Sequence, residues 1–147
     1  MTRNIVVNGR FLSRRITGVE RYGQEILKLF KSSYRVERTR LNGAAGHLWE
    51  QFILPAKLTS NSILWSPANT GPLIVRDQAL TIHDLSPLEH PEWFSKSFAA
   101  WYRLFLPILA RRVQVIFTPS EYSKKKVQKQ LGVKNVIVTP NGRRCSW

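Results

Sequence analysis

The chain has 147 residues, 43% of them hydrophobic, five tryptophans and a formal charge of +14. That length and apolar content suffice for one domain with a real core and exclude a disordered polymer. A single cysteine, Cys145, permits no internal disulfide and no thiolate metal site, and no apolar run is long and charge-free enough to span a bilayer. The start, Met1-Thr2-Arg3-Asn4, leads into a strand-like run with no signal-peptide pattern, so the expected location is cytoplasmic, with the membrane's inner face as a possible resting place. The basic excess attracts phosphorylated small molecules, anionic lipid or nucleic acid. Because Lys124-Lys125-Lys126 is the only basic triplet and the aromatics fall in apolar patterns, no nucleic-acid partner is expected.

In chain order, Asn4 to Asn8 reads as a first buried strand, short and β-branched. Gly9 to Ile16 reads as a loop with three arginines, Arg10, Arg14 and Arg15. Thr17-Gly18-Val19-Glu20 has the form of a capping box, and Val19, Tyr22, Ile26, Leu29 and Phe30 follow at helical spacing, predicting a helix to about Lys31. Strand, glycine-containing loop and capped helix can present backbone N–H groups to a phosphate at Gly18. The glycines do not form a dinucleotide fingerprint, so Gly18 equally could serve only to close the turn.

Tyr34 to Leu41 predicts a second, more exposed strand, and Asn42 to Gly46 a flexible loop. Leu48, Trp49, Phe52, Ile53 and Leu58 predict a helix kinked at Pro55, and Ser62 to Ser66 a third strand ended by Pro67. Ala68 to Leu73 is a turn-rich loop, and the fourth strand begins at Gln78 and ends in His83-Asp84, followed by a loop punctuated with prolines. Trp93 to Val113, apolar nearly all round, predicts a helix sandwiched between the sheet and its neighbours; the alternative is an arginine-flanked face resting on a membrane. Gln114 to Pro119 is a fifth strand, Ser120 caps a helix that stops at Gly132, and Asn135 to Thr139 is a sixth strand. Alternating strands and helices predict an α/β fold: a Rossmann-like, doubly wound, mainly parallel sheet with helices on both faces.

The sharpest chemical candidate is His83-Asp84, because open α/β sheets place ligands at the carboxyl ends of their strands. Adjacent residues in extended chain point to opposite sides, so one is expected to face a cleft while the other fixes the loop. The histidines are far apart and no His-x-x-x-His or Cys-x-x-Cys occurs, so no metal site is expected.

These residues together resemble the N-terminal half of a glycosyltransferase of the GT-B fold, in the large retaining family four. The matching pieces are Asn8-Gly9-Arg10, Thr17 to Tyr22, His47 to Gln51, Ser66 to Pro72, Thr81 to Ser86, Pro119 to Lys124 and Pro140-Asn141-Gly142. Single motifs are loose, but their order and spacing over residues 4–142 are specific. The resemblance implies an acceptor-side domain, residues 1–142, facing a second nucleotide-sugar domain across a cleft. It implies His83 and Asp84 at the reacting centre, Gly18 and Ser120 at the donor phosphate and cleft, and Arg14, Arg15 and Asn69 on the acceptor or phosphate side. It implies hexose transfer with retention from a nucleotide sugar to a glycan or lipid-linked acceptor, usually without a metal or other cofactor. The family's second domain, with its spaced glutamate pair, has no counterpart here, and residues 143–147 depart from the family pattern. The expectation is therefore that these residues alone form one wall of a cleft and are inactive without the other. A basic module that docks on an anionic membrane or holds an acceptor, without catalysis, is the alternative.

Overall fold

The computed structural model describes residues 2–13 and 17–140. Among them, six strands form one sheet: β1 (Asn4–Asn8), β2 (Tyr34–Glu37), β3 (Ser62–Ser66), β4 (Gln78–Thr81), β5 (Val115–Thr118) and β6 (Val136–Val138). Their order is β2-β1-β3-β4-β5-β6 and every pairing is parallel. Helices cover both faces, so the fold is the Rossmann-like α/β class expected, with a sheet parallel throughout.

Side-chain alternation sorts the core into two layers. Val6, Leu64, Leu80, Ile116 and Val136 point to one face. They pack there under α2 (Gly43–Leu48), α3 (Leu54–Ala56), α5 (Lys96–Arg112) and α6 (Glu121–Leu131). Val7, Trp65, Ala79 and Phe117 point to the other face, where α1 (Gly18–Leu29) lays Tyr22, Ile26 and Leu27 on them. Across from β6 that second face is open: Ile137 is 51% exposed, and an apolar cavity of about 320 Å³ remains between α1 and the sheet.

Local signals placed several boundaries well. The Glu20 carboxylate accepts the Thr17 backbone N–H at 2.9 Å, as the capping box requires. Ser120 accepts from the Ser123 N–H at 3.1 Å, and α6 ends at Gly132 with φ +65°, where a side chain would be strained.

Three segments differ from expectation. Gly9–Ser13 is a 3₁₀ helix rather than a loop. Asn42 to Gly46 is not a flexible loop: α2 begins at Gly43, and a Cβ on Gly46 would stand 2.8 Å from the Leu41 carbonyl and 3.0 Å from Arg10 Nε. Gly46 therefore permits a close approach, while Gly43, at φ +57°, starts the helix from a left-handed backbone, and neither interrupts it. The kink assigned to Pro55 is spread over a π-helical turn, Trp49–Ile53, in which the Leu54 N–H reaches back to Trp49 O. This turn buries Trp49, Glu50 and Leu54 while Leu48 and Phe52 are 60% and 70% exposed. The apolar periodicity thus misnamed the inward face.

The proline-punctuated stretch after β4 also gains structure, as α4 (Ser86–Glu89) and a 3₁₀ turn, Pro91–Trp93. Helix α5 starts at Lys96 and is not sandwiched on all sides. It buries Ala99, Tyr102, Leu106, Leu109 and Ala110 and leaves Leu104 and Ile108 exposed. Truncating a fully buried strand residue such as Leu80 to Ala is expected to cost about 2–5 kcal/mol. Leu104→Ala, on the open side of α5, is expected to stay within about 0.5 kcal/mol of the parent in urea unfolding.

Candidate active site

The carboxyl ends of the parallel strands gather the candidate residues on one edge of the sheet. The loop after β3 is stitched to the end of β4: the Asn69 N–H donates to Thr81 O at 3.0 Å, and Asn69 Oδ1 accepts the His83 backbone N–H at 2.7 Å. Asn69 adopts a left-handed backbone, φ +64°, which asparagine tolerates better than most side chains. Its amide thus holds His83 in place.

The His83 ring is half-buried, with Nε2 2.8 Å from the Pro67 carbonyl oxygen. A carbonyl can only accept, so Nε2 carries the hydrogen and Nδ1 presents a lone pair. Burial lowers the His83 pKa, against the opposing pull of the Pro67 carbonyl and the charges of Asp84 and Glu20. The ring is therefore neutral at pH 7, an acceptor at Nδ1. Tyr22 of α1 stands edge-on to it, ring centroids 4.7 Å apart, and its hydroxyl lies 3.5 Å from Thr139 Oγ1 beyond β6.

Asp84 points elsewhere. Its carboxylate is exposed and accepts the Ser86 N–H at 2.9 Å, fixing the start of α4. Asp84 thus takes the loop-fixing part expected of one of the two adjacent residues. Gly18 is the first residue of α1; a Cβ there would meet nothing within 4 Å, and its φ lies outside the left-handed region. The conformation at Gly18 does not need a glycine, and a side chain there would have room. Ser120 sits at the end of β5, but its hydroxyl is engaged in the cap of α6 through the Ser123 N–H and Oγ. Arg14 and Arg15 lie outside the described residues. Among the described residues, no three His, Cys, Asp or Glu side chains group closely enough to hold a metal ion.

The strand order reverses between β1 and β3, where sheets of this class usually open a ligand crevice. Here a buried polar cluster fills it. Glu50 Oε2 accepts from Asn8 Nδ2 at 2.8 Å and Thr70 Oγ1 at 3.1 Å, while Arg10 Nη1 lies 3.2 Å from Thr70 Oγ1 and 3.7 Å from Glu50 Oε1. Glu50 and Arg10 are 1% and 4% exposed, and no open volume remains among them. Sequence reasoning missed this cluster, although a carboxylate inside the apolar run Leu48 to Ile53 was its visible signal.

Comparison with protein-family models, curated proteins and solved structures finds no match. What the site can do must be argued from its own geometry. That geometry offers a neutral hydrogen-bond acceptor with a tyrosine edge-on to it, and a helix N-terminus whose first turn carries the Thr17–Glu20 capping box and has room at Gly18. It also shows what the crevice at the strand reversal is for: Arg10 and Glu50 are too buried to reach a ligand, and they set the frame.

Two outcomes follow. Removing one member of the buried pair, as in Glu50→Ala, is expected to cost about 3–5 kcal/mol in denaturant unfolding, because Arg10 is left buried without its carboxylate. As pH falls below the ordinary histidine value of 6.5, the unfolded chain takes up the His83 proton before the folded one, so stability declines over that range. His83→Gln is expected to flatten that decline, and ¹⁵N spectra at pH 7 to show a neutral ring protonated at Nε2.

Proposed function

We propose that residues 1–142 form the acceptor-side wall of a retaining glycosyltransferase cleft of the GT-B type, working on a nucleotide-sugar donor. The observation that carries this reading is neutral His83, with Nδ1 as acceptor, packed edge-on against Tyr22 of α1, the helix whose first residue is Gly18. A donor diphosphate suits the positive end of α1, where backbone N–H groups and the helix dipole favour anions. A sugar hydroxyl suits Nδ1, which can only accept. In the transfer, the bond from the sugar's anomeric carbon to the diphosphate oxygen breaks and its electron pair leaves with the diphosphate. The acceptor oxygen bonds to the same face of that carbon, and its proton passes to the departing phosphate oxygen. Stabilising that developing charge is the main task of the protein, and the remaining cations belong on the facing wall. No metal or cofactor enters this reading.

A second reading has its own observation. Leu48, Phe52, Leu104 and Ile108 are all at least 42% exposed, on two helical segments that touch where His47 meets the Trp101 ring, centroids 4.5 Å apart. Beside a net charge of +14, such apolar side chains suit a peripheral seat on an anionic membrane. No helix among the described residues is long and apolar enough to cross one. This seat is compatible with transfer to a lipid-linked acceptor.

Gly18→Leu separates ligand binding from folding. The site has room for the side chain, so stability is expected to hold or rise by about 0.5–1 kcal/mol. Binding of UDP-glucose or GDP-mannose, followed by amide shifts at residue 18 and His83, is expected to disappear. Shifts that persist unchanged in the variant refute the assigned donor position. For the membrane seat, co-sedimentation with vesicles containing phosphatidylglycerol is expected to exceed that with neutral vesicles and to fall in Phe52→Ser with Leu104→Ser.

A further inference from the structure

We infer that the groove between the end of β2 and the 3₁₀ turn after β1 binds a phosphate-bearing ligand. In the glycosyltransferase reading, on which the ligand's role but not the site itself rests, that ligand is a diphosphate-linked acceptor. The groove has a volume of about 590 Å³ and is lined by Leu12, Ser13, Arg38, Thr39 and Arg40. Arg38 and Arg40 are exposed, and among the described residues neither guanidinium has a carboxylate partner. The acid closest to them in sequence, Glu37, is committed: its carboxylate lies 2.9 Å from Arg35 Nε and 3.0 Å from Lys57 Nζ. Two uncompensated guanidinium groups on one concave surface repel each other unless an anion stands between them. Phosphate oxygens match their forked donors better than any other common biological anion except carboxylate.

The walls are built and held. Ser13 Oγ lies 2.8 Å from Arg10 O and 3.2 Å from Asn42 Oδ1, joining the 3₁₀ turn to the start of α2. Thr39 Oγ1 accepts the Leu41 N–H at 3.1 Å, which keeps its hydroxyl hydrogen available to a ligand. Gly9 lets the turn approach β2: a Cβ there would come 2.6 Å from Glu37 O. Leu12 adds an apolar wall for the body that carries the phosphate.

The groove is separate from the His83 edge. The ends of β2 and β4 are three strand steps apart, about 14 Å. One phosphate group therefore cannot serve both places, and a ligand in the groove approaches His83 from the side.

Inorganic pyrophosphate is the direct probe. It is expected to shift the amide signals of Leu12, Ser13 and Thr39, and Arg38→Ala with Arg40→Ala is expected to weaken its binding about tenfold or more. Both substitutions are on the surface, so the fold survives. Lys124→Ala with Lys125→Ala removes the same charge from α6 and is expected to leave binding unchanged. Equal weakening by the lysine pair, or shifts spread over α6, would overturn the inference as mere charge attraction. If Arg38 and Arg40 matter for phosphatidylglycerol vesicles and not for pyrophosphate, the groove is a lipid headgroup contact and the inference falls. Nucleotide-sugar shifts at Gly18 and His83 are read separately. Their presence without pyrophosphate in the groove sinks this inference alone, whereas pyrophosphate in the groove without them supports the site and sinks the donor reading.

Discussion

One buried carboxylate holds the working edge of this domain together. Glu50 touches Asn8 at the end of β1 and Thr70 in the loop after β3, with Arg10 alongside. A carboxyl group at 1% exposure is tolerable only with those partners in place, since a buried polar group without hydrogen bonds costs several kcal/mol. Four chain segments are therefore fixed relative to one another: the end of β1, the 3₁₀ turn, the π-helical turn and the loop after β3. The constraint travels further. Thr70 follows Asn69, whose side chain holds the His83 backbone, and Arg10 O meets Ser13 at the mouth of the basic groove. Both candidate sites stand on the same clamp.

The clamp also decides where a ligand can go. By filling the crevice at the strand reversal, it leaves the α1 end and the His83 edge as the accessible part of the carboxyl-terminal rim. Burial of His83 is intermediate, which suits the proposed role. Full burial would hide the His83 ring from a substrate, while full exposure would return its pKa to the ordinary value and let it charge near neutrality. The Pro67 carbonyl adds direction to this balance by occupying Nε2 and turning Nδ1 into the available nitrogen.

The elements legible in the sequence are those whose signals are local. Thr17 with Glu20, Ser120 with Ser123 and Gly132 each act within a turn of their own helix, so spacing alone names them. The same holds for the short β-branched strands, which paired in parallel as the alternation with helices required. The clamp was not legible because its partners are 42 and 20 residues apart, and only the folded chain brings them together. Residues 43–56 misled for a related reason. A charged residue took the inward position in an apolar run, the π-helical turn rotated the face, and Gly46 was selected by the approach of Leu41 and Arg10. His83 does stand just past the carboxyl end of β4, as the sequence indicated, but its tautomer follows from a carbonyl 16 residues away.

The charge of the chain takes on meaning once its acids are followed individually. Of nine carboxylates, Glu50 and Glu20 are buried in the clamp and the capping box. Glu37, Glu89 and Asp77 are paired with Arg35 and Lys57, with Lys126, and with Arg3. Each of those pairs removes an acid together with a base, so the excess charge is carried by cations without such partners, among the described residues Arg38 and Arg40. Such a field draws phosphates from several ångströms away but is screened within about 8–10 Å in physiological salt, and it does not choose among them. Choice needs fixed donors at close range. The groove walls are held by Ser13, Asn42 and Thr39. In the proposed reading, long-range charge brings an anionic ligand to this edge, and the geometry set by Glu50 determines where it stays.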